Sequence, residues 1–358
     1  QVQANVFNPA ISVVGNFLGR QDDRPVLLEE EGERADDQIN LREMELDMRI
    51  PVDIYADAVF ILAMESERTG EFETEVEEGY FILKKLPSLE ASPLGLKLKV
   101  GRFRPEFGRI NRLHTHALPQ ATRPLALEEF LGEEGFIQSG LSAQFFLPTP
   151  WDEESALELV LQGLNGGGAA VAPGGENDFA YLSHLRWFRT FADAHDLEVG
   201  ASTYRGNTDP RSKRAAWLHG LDFLYRWKPL RAGQWQSFLF GGELFYSDRD
   251  LEETSEDSFG SRRRERPLGT YLFGQYQWDK RWYAGVRWDW TQTLEDDQVE
   301  RIQFAPYVSY YLSEFLRARV GYERTWSDLR EEDGRDTFLL ELNWIFGAHP
   351  PEPYWVHK

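Results

Sequence analysis

Long stretches of the chain alternate between apolar and polar residues with a period of two. In the segment 41–50, Met44, Leu46 and Met48 fall on one face, and Glu45 and Asp47 fall on the other. The same alternation returns at 96–100, 157–162, 301–312, 316–323 and 338–346. Successive side chains of a β-strand point to opposite faces of a sheet, so this period indicates strands that separate an apolar from a polar environment. The chain is therefore predicted to be all-β.

Sixteen such segments can be placed along the chain. They lie near 9–20, 40–50, 54–65, 75–85, 94–104, 135–147, 155–164, 178–190, 196–205, 214–228, 235–247, 267–278, 281–292, 300–312, 315–326 and 336–347. A tilted transmembrane strand needs about 9–11 residues, and bacterial single-chain barrels have an even number of strands. The pattern predicts a transmembrane antiparallel β-barrel of about sixteen strands, forming a single domain over residues 1–358.

The connections between these segments are alternately short and long. Those after even-numbered segments are mostly brief, at 51–53, 190–196, 228–234, 279–281 and 313–314. Those after odd-numbered segments are longer, at 21–39, 66–74, 105–134, 165–177, 206–213, 248–266 and 327–335. Outer-membrane barrels have short periplasmic turns and long extracellular loops. A soluble β-sandwich or propeller, the main alternative fold, has no reason to alternate its loop lengths in this way.

Tryptophan and tyrosine mark the ends of several predicted strands. In RWYAGVRWDW (281–290), Trp282 lies at one end and Trp288 and Trp290 lie at the other, with Ala284 and Val286 between them on the same face. Aromatic residues with a polar N–H or O–H favour the two interfaces of a membrane. These positions predict an aromatic belt at each edge of a lipid-facing surface.

The composition agrees with a membrane barrel. The chain of 358 residues has 12 Trp, 14 Tyr and 24 Phe, and yet 28% of its residues are charged. The mean hydropathy is −0.52, and no run of about 18 apolar residues predicts a transmembrane helix. The absence of cysteine fits an exported protein, and the net charge of −21 argues against a nucleic-acid partner. No signal peptide is visible, and we expect Gln1 to begin a mature form.

The third long connection, 105–134, is expected to fold into the barrel as a constriction. General diffusion porins fold their third extracellular loop into the lumen, and this connection is similar to it in position and length. A charged loop facing charged walls narrows the aqueous path and sets a local field. The residues predicted to form the constriction are Arg104, Glu106, Arg109, Arg112, Arg123, Glu128 and Glu129. The alternative is a loop that covers the mouth of the barrel from outside.

The polar faces of the strands predict the lining of the lumen. Residues of both signs project inward, so the pattern favours neither anions nor cations. They satisfy one another across neighbouring strands, orient polar solutes, or do both. The predicted lining residues are Asp47, Asp57, Lys97, Lys99, Arg287, Arg301, Arg317 and Arg319.

Two kinds of metal site are weighed. His114 and His116 form the one close histidine pair, and on an extended segment both imidazoles would face the same side and bind Zn²⁺ or Cu²⁺ with a nearby carboxylate. The alternative is a hydrogen-bonded or exposed structural role. Acidic stretches at 21–37, 248–257, 295–297 and 327–336 offer oxygen ligands for Ca²⁺ or Mg²⁺ that would bridge to lipopolysaccharide. The alternative there is a solvated surface that resists aggregation.

Signatures of enzymes are absent from the sequence. It contains no G-x-S-x-G elbow, no P-loop and no H-E-x-x-H motif. His219 and Asp222, three residues apart on a predicted strand, face opposite sides. We expect no enzymatic activity and no cofactor, apart from a Ca²⁺ or Zn²⁺ ion at the sites above.

Three stretches and the His-Thr-His loop resemble a largely uncharacterised family of porin-like outer-membrane proteins of Gram-negative bacteria. The stretches are NPAISVVGNF (8–17), APYVSYYLSEFLRARVGYE (305–323) and LELNWIFGAHPPEPY (340–354). The resemblance covers nearly the whole chain and brings no catalytic residue. It implies a barrel closed by the segment 336–347, with 348–358 as a periplasmic tail. Pro306 lacks the N–H that a strand ladder needs, so we expect a β-bulge there.

The sequence therefore predicts an outer-membrane porin-like channel for the passive diffusion of small polar solutes or ions. Its expected surroundings are membrane lipid and lipopolysaccharide. The alternative is a barrel whose lumen is plugged and which acts as a scaffold or partner-binding subunit of a surface complex. A homo-oligomer, or a surface or periplasmic protein partner, is compatible with either function.

Overall fold

The computed structural model describes residues 9–24, 26–27, 34–35, 38–66, 72–86, 92–172, 179–208, 214–252, 262–329 and 333–348. Within them, sixteen long antiparallel strands form one closed β-barrel, which confirms the predicted fold class. The strands are β1 (Ala10–Asp22), β2 (Gln38–Pro51), β3 (Ala56–Ser66), β4 (Phe72–Leu83), β5 (Lys97–Phe103), β6 (Gln138–Leu147), β7 (Ser155–Leu164), β8 (Ala180–Phe191), β9 (His195–Asn207), β10 (Ala215–Trp227), β11 (Ser237–Glu252), β12 (Leu268–Asp279), β13 (Trp282–Gln292), β14 (Glu300–Ser313), β15 (Leu316–Ser327) and β16 (Arg335–Gly347).

The first and last strands close the barrel. Their register runs from Ser12 opposite Gly347 to Asp22 opposite Thr337, and every other strand pairs with its neighbours in sequence. A short strand, Arg262–Glu265, adds to the β11 ladder ahead of β12. A small hairpin, Val26–Leu27 with Arg34–Ala35, lies in the connection after β1. Closure leaves no unpaired sheet edge, which a membrane-spanning sheet requires.

The two faces of the strands separate as the alternation predicts. On β13, Trp282, Val286 and Trp288 are exposed on the outside, whereas Arg287 and Asp289 are buried inside. Trp217, Trp278 and Trp326, which lie near strand ends, are also exposed, and the arrangement of such residues in two belts stays a prediction. A lipid-facing wall and a polar interior account for this separation of the two faces.

The connections follow the predicted alternation with exceptions. The connection 228–236 between β10 and β11, for example, is longer than 293–299 between β13 and β14. The turns after β2, β8 and β12 are short, and the connection after β5, residues 104–137, is the longest within the described residues. The connection between β4 and β5, residues 84–96, is longer than the pattern predicts and includes the 3₁₀ turn Pro93–Gly95. The predicted periplasmic tail lies outside the described residues except for Ala348, and most of the acidic stretches 21–37 and 248–257 also lies outside them.

The expected β-bulge at Pro306 is wrong. Pro306 lies opposite Val286 of β13, and the register with β15 is the same before it, at Phe304–Arg324, as after it, at Tyr307–Gly321. The ladder is interrupted where the proline lacks an N–H, and no residue is added. The strand accepts the missing donor without shifting its side chains to the other face.

Candidate functional site

The long connection after β5 lies inside the barrel. Residues 104–137, hereafter the inward loop, contain two 3₁₀ turns, Ile110–Arg112 and Thr115–Ala117, and a short helix α1 (Leu125–Leu131). Most side chains along this stretch are buried. Such burial is unusual for a loop, and it arises because the surrounding strands supply hydrogen-bond partners for the loop backbone.

On one side of the lumen, β9 and β11 hold the start of the inward loop. Ser202 Oγ accepts a hydrogen bond from the backbone N–H of Gly108 at 2.9 Å. Oε1 of Glu243 accepts the N–H groups of Arg109 at 2.8 Å and Ile110 at 2.7 Å. A buried carboxylate thus satisfies two donors that would otherwise have no partner at this turn.

On the other side, arginines of the wall hold the middle of the inward loop. Arg317 donates to the carbonyl of His116 at 2.8 Å, and Arg319 donates to the carbonyl of Leu118 at 3.1 Å. Arg287 donates to the carbonyl of Thr122 at 2.7 Å. Glu341 of β16 forms an ion pair with Arg319 at 2.8 Å and with Arg317 at 3.4 Å, and so orients the arginine pair. The loop therefore crosses the lumen from β9 and β11 to β13 and β15.

Apolar contacts reinforce the polar anchors. Phe107 and Phe130 of the inward loop stack on Phe245 of β11, with ring centroids 5.9 and 5.4 Å apart. Phe136 packs against Tyr204 of β9 at 5.1 Å. Burying an aromatic side chain of this size contributes about 1.5–3 kcal/mol. Part of the lumen is thus filled by a small hydrophobic core that the strand pattern alone does not reveal.

The predicted constriction residues separate into buried and water-accessible groups. Arg104 pairs with Glu77, Arg109 pairs with Glu198, and Arg123 donates to the carbonyl of Leu113 and to Thr115 Oγ1. All three arginines are buried. Arg112 and Glu106, 3.3 Å apart, are partly exposed, as is Glu129, which accepts the N–H of Leu294 at 2.6 Å. A role in a constriction remains a prediction for these residues.

Burial perturbs the charged groups of the inward loop. It lowers the pKa of Arg123 to about 10, with help from the neighbouring Arg104 charge. It raises the pKa of Glu128 to about 7, although Arg301 and Arg287 oppose the shift. Burial also disfavours charge on Glu106, but Arg112, Lys99 and Arg186 together outweigh it and hold the pKa of that carboxyl below its usual value. Glu323 and Glu133 also face Glu128 and add to the upward shift.

The predicted lumen-lining residues differ in their surroundings. Asp47 pairs with Arg49 at 2.9 Å, and Asp57 pairs with Lys84 at 2.7 Å near the short turns. Lys99 lies over the Tyr80 ring, 4.9 Å from its centroid, while Lys97 is exposed. The remaining four, Arg287, Arg301, Arg317 and Arg319, project inward and contact the inward loop.

The two histidines of the loop meet a group of carboxylates. Their rings stack with centroids 5.8 Å apart, and Nδ1 of each lies 3.3 Å from Glu45 Oε2. The expected extended His-X-His geometry is wrong, because Thr115–Ala117 is a 3₁₀ turn. Burial lowers the pKa of His114, but Glu45 and Glu77 outweigh it and hold the pKa well above its usual value. The pKa of His116 is raised by Glu45 in the same way.

Glu77 and Glu78 are inward residues that the alternation did not reveal. In the ladder between β3 and β4, Ile61 pairs with Glu78 and Leu62 pairs with Val76, so Glu77 is the extra residue of a β-bulge. A bulge lets two successive side chains point to the same side, and both glutamates are buried. Two consecutive acidic residues inside a strand were the only signal in the sequence.

A small cavity lies on the short-turn side of the inward loop. It has a volume of about 170 Å³ and is lined by Phe188, Asp196, Glu198, Leu224 and Arg226. Around it, the side chains of Arg112, Arg186 and Arg226 keep 21–26% of their surface exposed, whereas Glu158, Asp196 and Glu198 keep 8–15%. The guanidinium groups are therefore the charges closest to water in this part of the lumen.

His219 and Asp222 do not form a catalytic pair. The His219 ring stacks between Trp217 and Tyr246, and Trp217 is exposed on the outer face. Asp222 is buried on the inner side. Among the described residues, no helix combines the length and the apolar character needed to cross a membrane.

Comparisons with known proteins agree with the fold. No protein-family model matches the chain. A protein of Aquifex aeolicus (strain VF5), described as uncharacterized, is 26% identical over 352 residues, covering 88% of this chain and 70% of that protein.

Among solved structures, the outer membrane channel DcaP of Acinetobacter baumannii matches with a TM-score of 0.58 and 8% identity, covering 95% of this chain and 97% of that one. The anion-selective porin from Comamonas acidovorans matches with a TM-score of 0.58 and 8% identity, covering 94% and 99%. OmpT of Vibrio cholerae, an outer membrane protein, matches with a TM-score of 0.55 and 9% identity, covering 96% and 99%. The chain is therefore an outer-membrane-type β-barrel with the fold of porins.

Proposed function

We propose that the protein is an outer-membrane channel through which small polar solutes or ions diffuse passively, with the inward loop as its constriction. The observation that carries this proposal is the charged, water-accessible lining beside the loop, formed by Arg112, Arg186 and Arg226 above a cavity of about 170 Å³. A scaffold whose lumen is plugged has no need for charged groups that contact water inside the barrel. Similar folds are described as an outer membrane channel and as an anion-selective porin.

The same lining supports a proposal on selectivity. The arginines are more exposed than the carboxylates with which they pair. A narrow aqueous path with low-dielectric walls concentrates the electric field of the charges that line it. The more exposed arginines should therefore make the potential in this path positive and attract anions. We expect a modest preference for anions and no enzymatic activity.

Liposome swelling tests this function. Purified full-length protein is reconstituted into liposomes, which are diluted into isotonic solutions of polar solutes of increasing size. A channel gives swelling rates that fall steeply with solute size. Swelling no faster than that of protein-free liposomes, with the barrel shown to be folded, would contradict the proposal.

The second candidate function is a scaffold with a plugged lumen. The stacking of Phe107 and Phe130 on Phe245 favours it, because an apolar core inside the lumen excludes water. OmpT of Vibrio cholerae, which shares the fold, has also been solved in a trimer form. A homo-oligomer in lipid and lipopolysaccharide is compatible with either function, and the swelling assay separates the two.

A further inference from the structure

Four side chains from three parts of the chain converge where the inward loop meets the wall. Glu43 and Glu45 come from β2, Glu77 from the bulge in β4, and His114 from the loop. Each offers one oxygen or nitrogen atom, and these four atoms all lie within 4.8 Å of one another. The three glutamates are at most 2% exposed.

The Glu43 carboxylate makes this cluster more than a group of acidic residues. Neither of its oxygens hydrogen bonds to any residue that the structure describes, and the side chain is 2% exposed. Burying a carboxylate without a partner is costly, and buried charges are normally paired or bind a metal. Nearby, Arg104 pairs with Glu77 and hydrogen bonds to the Glu134 carbonyl.

His114 is oriented as a metal ligand would be. Its Nε2 lies 2.8 Å from Glu78 Oε1, so Glu78 accepts an N–H there. That bond leaves Nδ1 as the atom that faces Glu45 at 3.3 Å and Glu77 at 2.8 Å. Metal-binding histidines almost always donate their other N–H to a carboxylate, a carbonyl or a water molecule.

The dimensions of the cluster suit a small cation. Zinc lies about 2.0–2.2 Å from histidine nitrogen and carboxylate oxygen in tetrahedral sites, which places neighbouring ligand atoms roughly 3.4 Å apart. The distance of 3.3 Å between His114 Nδ1 and Glu45 Oε2 already matches this ligand–ligand separation. The distance of 2.8 Å between His114 Nδ1 and Glu77 Oε2 would match it after the two side chains move slightly apart. Imidazole favours transition metals over Ca²⁺ and Mg²⁺.

We propose that Glu43, Glu45, Glu77 and His114 bind a divalent transition-metal cation that fastens the inward loop to β2 and β4. Glu78 is a positioning residue, because it holds the His114 ring through Nε2. His116 lies beside Glu45 and is outside the ligand set, so the metal site differs from the His114–His116 pair that the sequence suggests. Binding would stabilise the position of the loop across the lumen.

Zinc binding to the untagged full-length barrel tests the proposal. The protein is refolded in detergent, stripped with a chelator, and titrated with Zn²⁺ against a chromophoric competitor. We expect one saturable site in the parent and at least tenfold weaker binding in Glu43→Gln and His114→Gln. Glu78→Gln should weaken binding by about 10–100-fold, as loss of a supporting carboxylate typically does. Zn²⁺ should also raise the thermal midpoint of the parent, and not that of Glu43→Gln.

Two controls locate the site. His116→Ala should bind Zn²⁺ within about threefold of the parent, and so should Asp296→Asn. Asp296 belongs to a second acidic group, with Glu265 and Asp297, that has no histidine. If the Glu43→Gln variant does not fold, Co²⁺ added to the parent should show the visible absorption of a four- or five-coordinate N/O site. No saturable Zn²⁺ binding to the folded parent, no such Co²⁺ spectrum, or unchanged Zn²⁺ affinity in the Glu43→Gln and His114→Gln variants would overturn the proposal.

Discussion

Glu243 of β11 is the wall residue whose removal should most clearly loosen the inward loop. Its Oε1 accepts the N–H groups of Arg109 and Ile110 at 2.8 and 2.7 Å, and its side chain is 5% exposed. Hydrogen bonds to a charged group contribute about 1.5–3 kcal/mol each, so the two contribute roughly 3–6 kcal/mol. The cost of burying the carboxylate offsets part of this gain. We expect Glu243→Ala to weaken loop docking by roughly 2–4 kcal/mol, which raises the undocked fraction about 30- to 1000-fold.

A single introduced cysteine can measure this fraction, because the chain has none of its own. Ala121 is 4% exposed, and its carbonyl accepts a hydrogen bond from Arg42 at 2.6 Å. The thiol of the Ala121→Cys variant should react with a maleimide only when the loop undocks, so the modification rate reports local opening. Adding Glu243→Ala to this variant should raise the rate by the factor above. Glu243→Gln, which keeps an oxygen acceptor, should lie between the two.

Asp248→Ala is the matched control on the same strand. Asp248 pairs with Arg264 and Arg266, and none of the hydrogen bonds or ion pairs of Asp248 within the described residues involves the inward loop. It should leave the modification rate unchanged. Equal rates with and without Glu243→Ala would refute the reasoning. So would an Ala121→Cys thiol that reacts as fast as a fully exposed cysteine while Glu243 is still in place.

Three further predictions concern the lipid face, the pore field and pH. The substitution Ala143→Arg, on the outer face midway along β6, should lower the free energy of unfolding in urea by about 2–4 kcal/mol. Gln144→Arg, at the neighbouring inward position, should lower it by less than about 1 kcal/mol. Equal losses would contradict the assignment of faces. Arg226→Gln should move the reversal potential in a salt gradient toward cations, and high salt should mute the shift; an unchanged potential would place the arginine outside the ion path. Glu128 has a pKa of about 7 in the docked loop, above the ordinary value that it regains when the loop undocks. The docked loop therefore binds the proton more tightly than the undocked loop, and docking should weaken as pH rises from about 5 to 8. Relative to a fully exposed cysteine measured at the same pH, which corrects for the rising thiolate fraction, modification of the Ala121→Cys thiol should then accelerate roughly 10- to 100-fold, and Glu128→Gln should remove this relative acceleration.

The barrel could be predicted because a strand that faces lipid on one side and polar groups on the other must alternate at every position. The rule is local, so Val286 and Arg287 can be assigned to opposite faces without knowledge of their partners. It fails where the backbone departs from the period. Glu77 is such a case, since the bulge turns both Glu77 and Glu78 inward.

The partners of the inward loop could not be predicted from the sequence. Glu243 lies more than 130 residues along the chain from the two N–H groups that donate hydrogen bonds to it. The sequence around Glu243 contains no pattern that identifies it as their acceptor. The loop also has no periodic pattern of its own, because its apolar residues face several different strands. The His114–His116 spacing drew attention to the same part of the loop in which we propose the cation site. The carboxylates around it come from β2 and β4, which both pair with β3, and their approach depends on the register of these strands and on the bulge at Glu77.

The position and effect of the inward loop are the central claim, and single-channel conductance in planar bilayers tests it most directly. The parent is compared with a variant in which residues 114–127 are replaced by a short glycine-serine linker, both shown to be folded. This stretch carries the carbonyl groups of His116, Leu118 and Thr122 that the wall arginines hold. We predict a small, stable conductance in the parent and a several-fold larger one in the variant, as expected if the loop is the constriction of the path. An equal conductance in the two proteins would contradict the account.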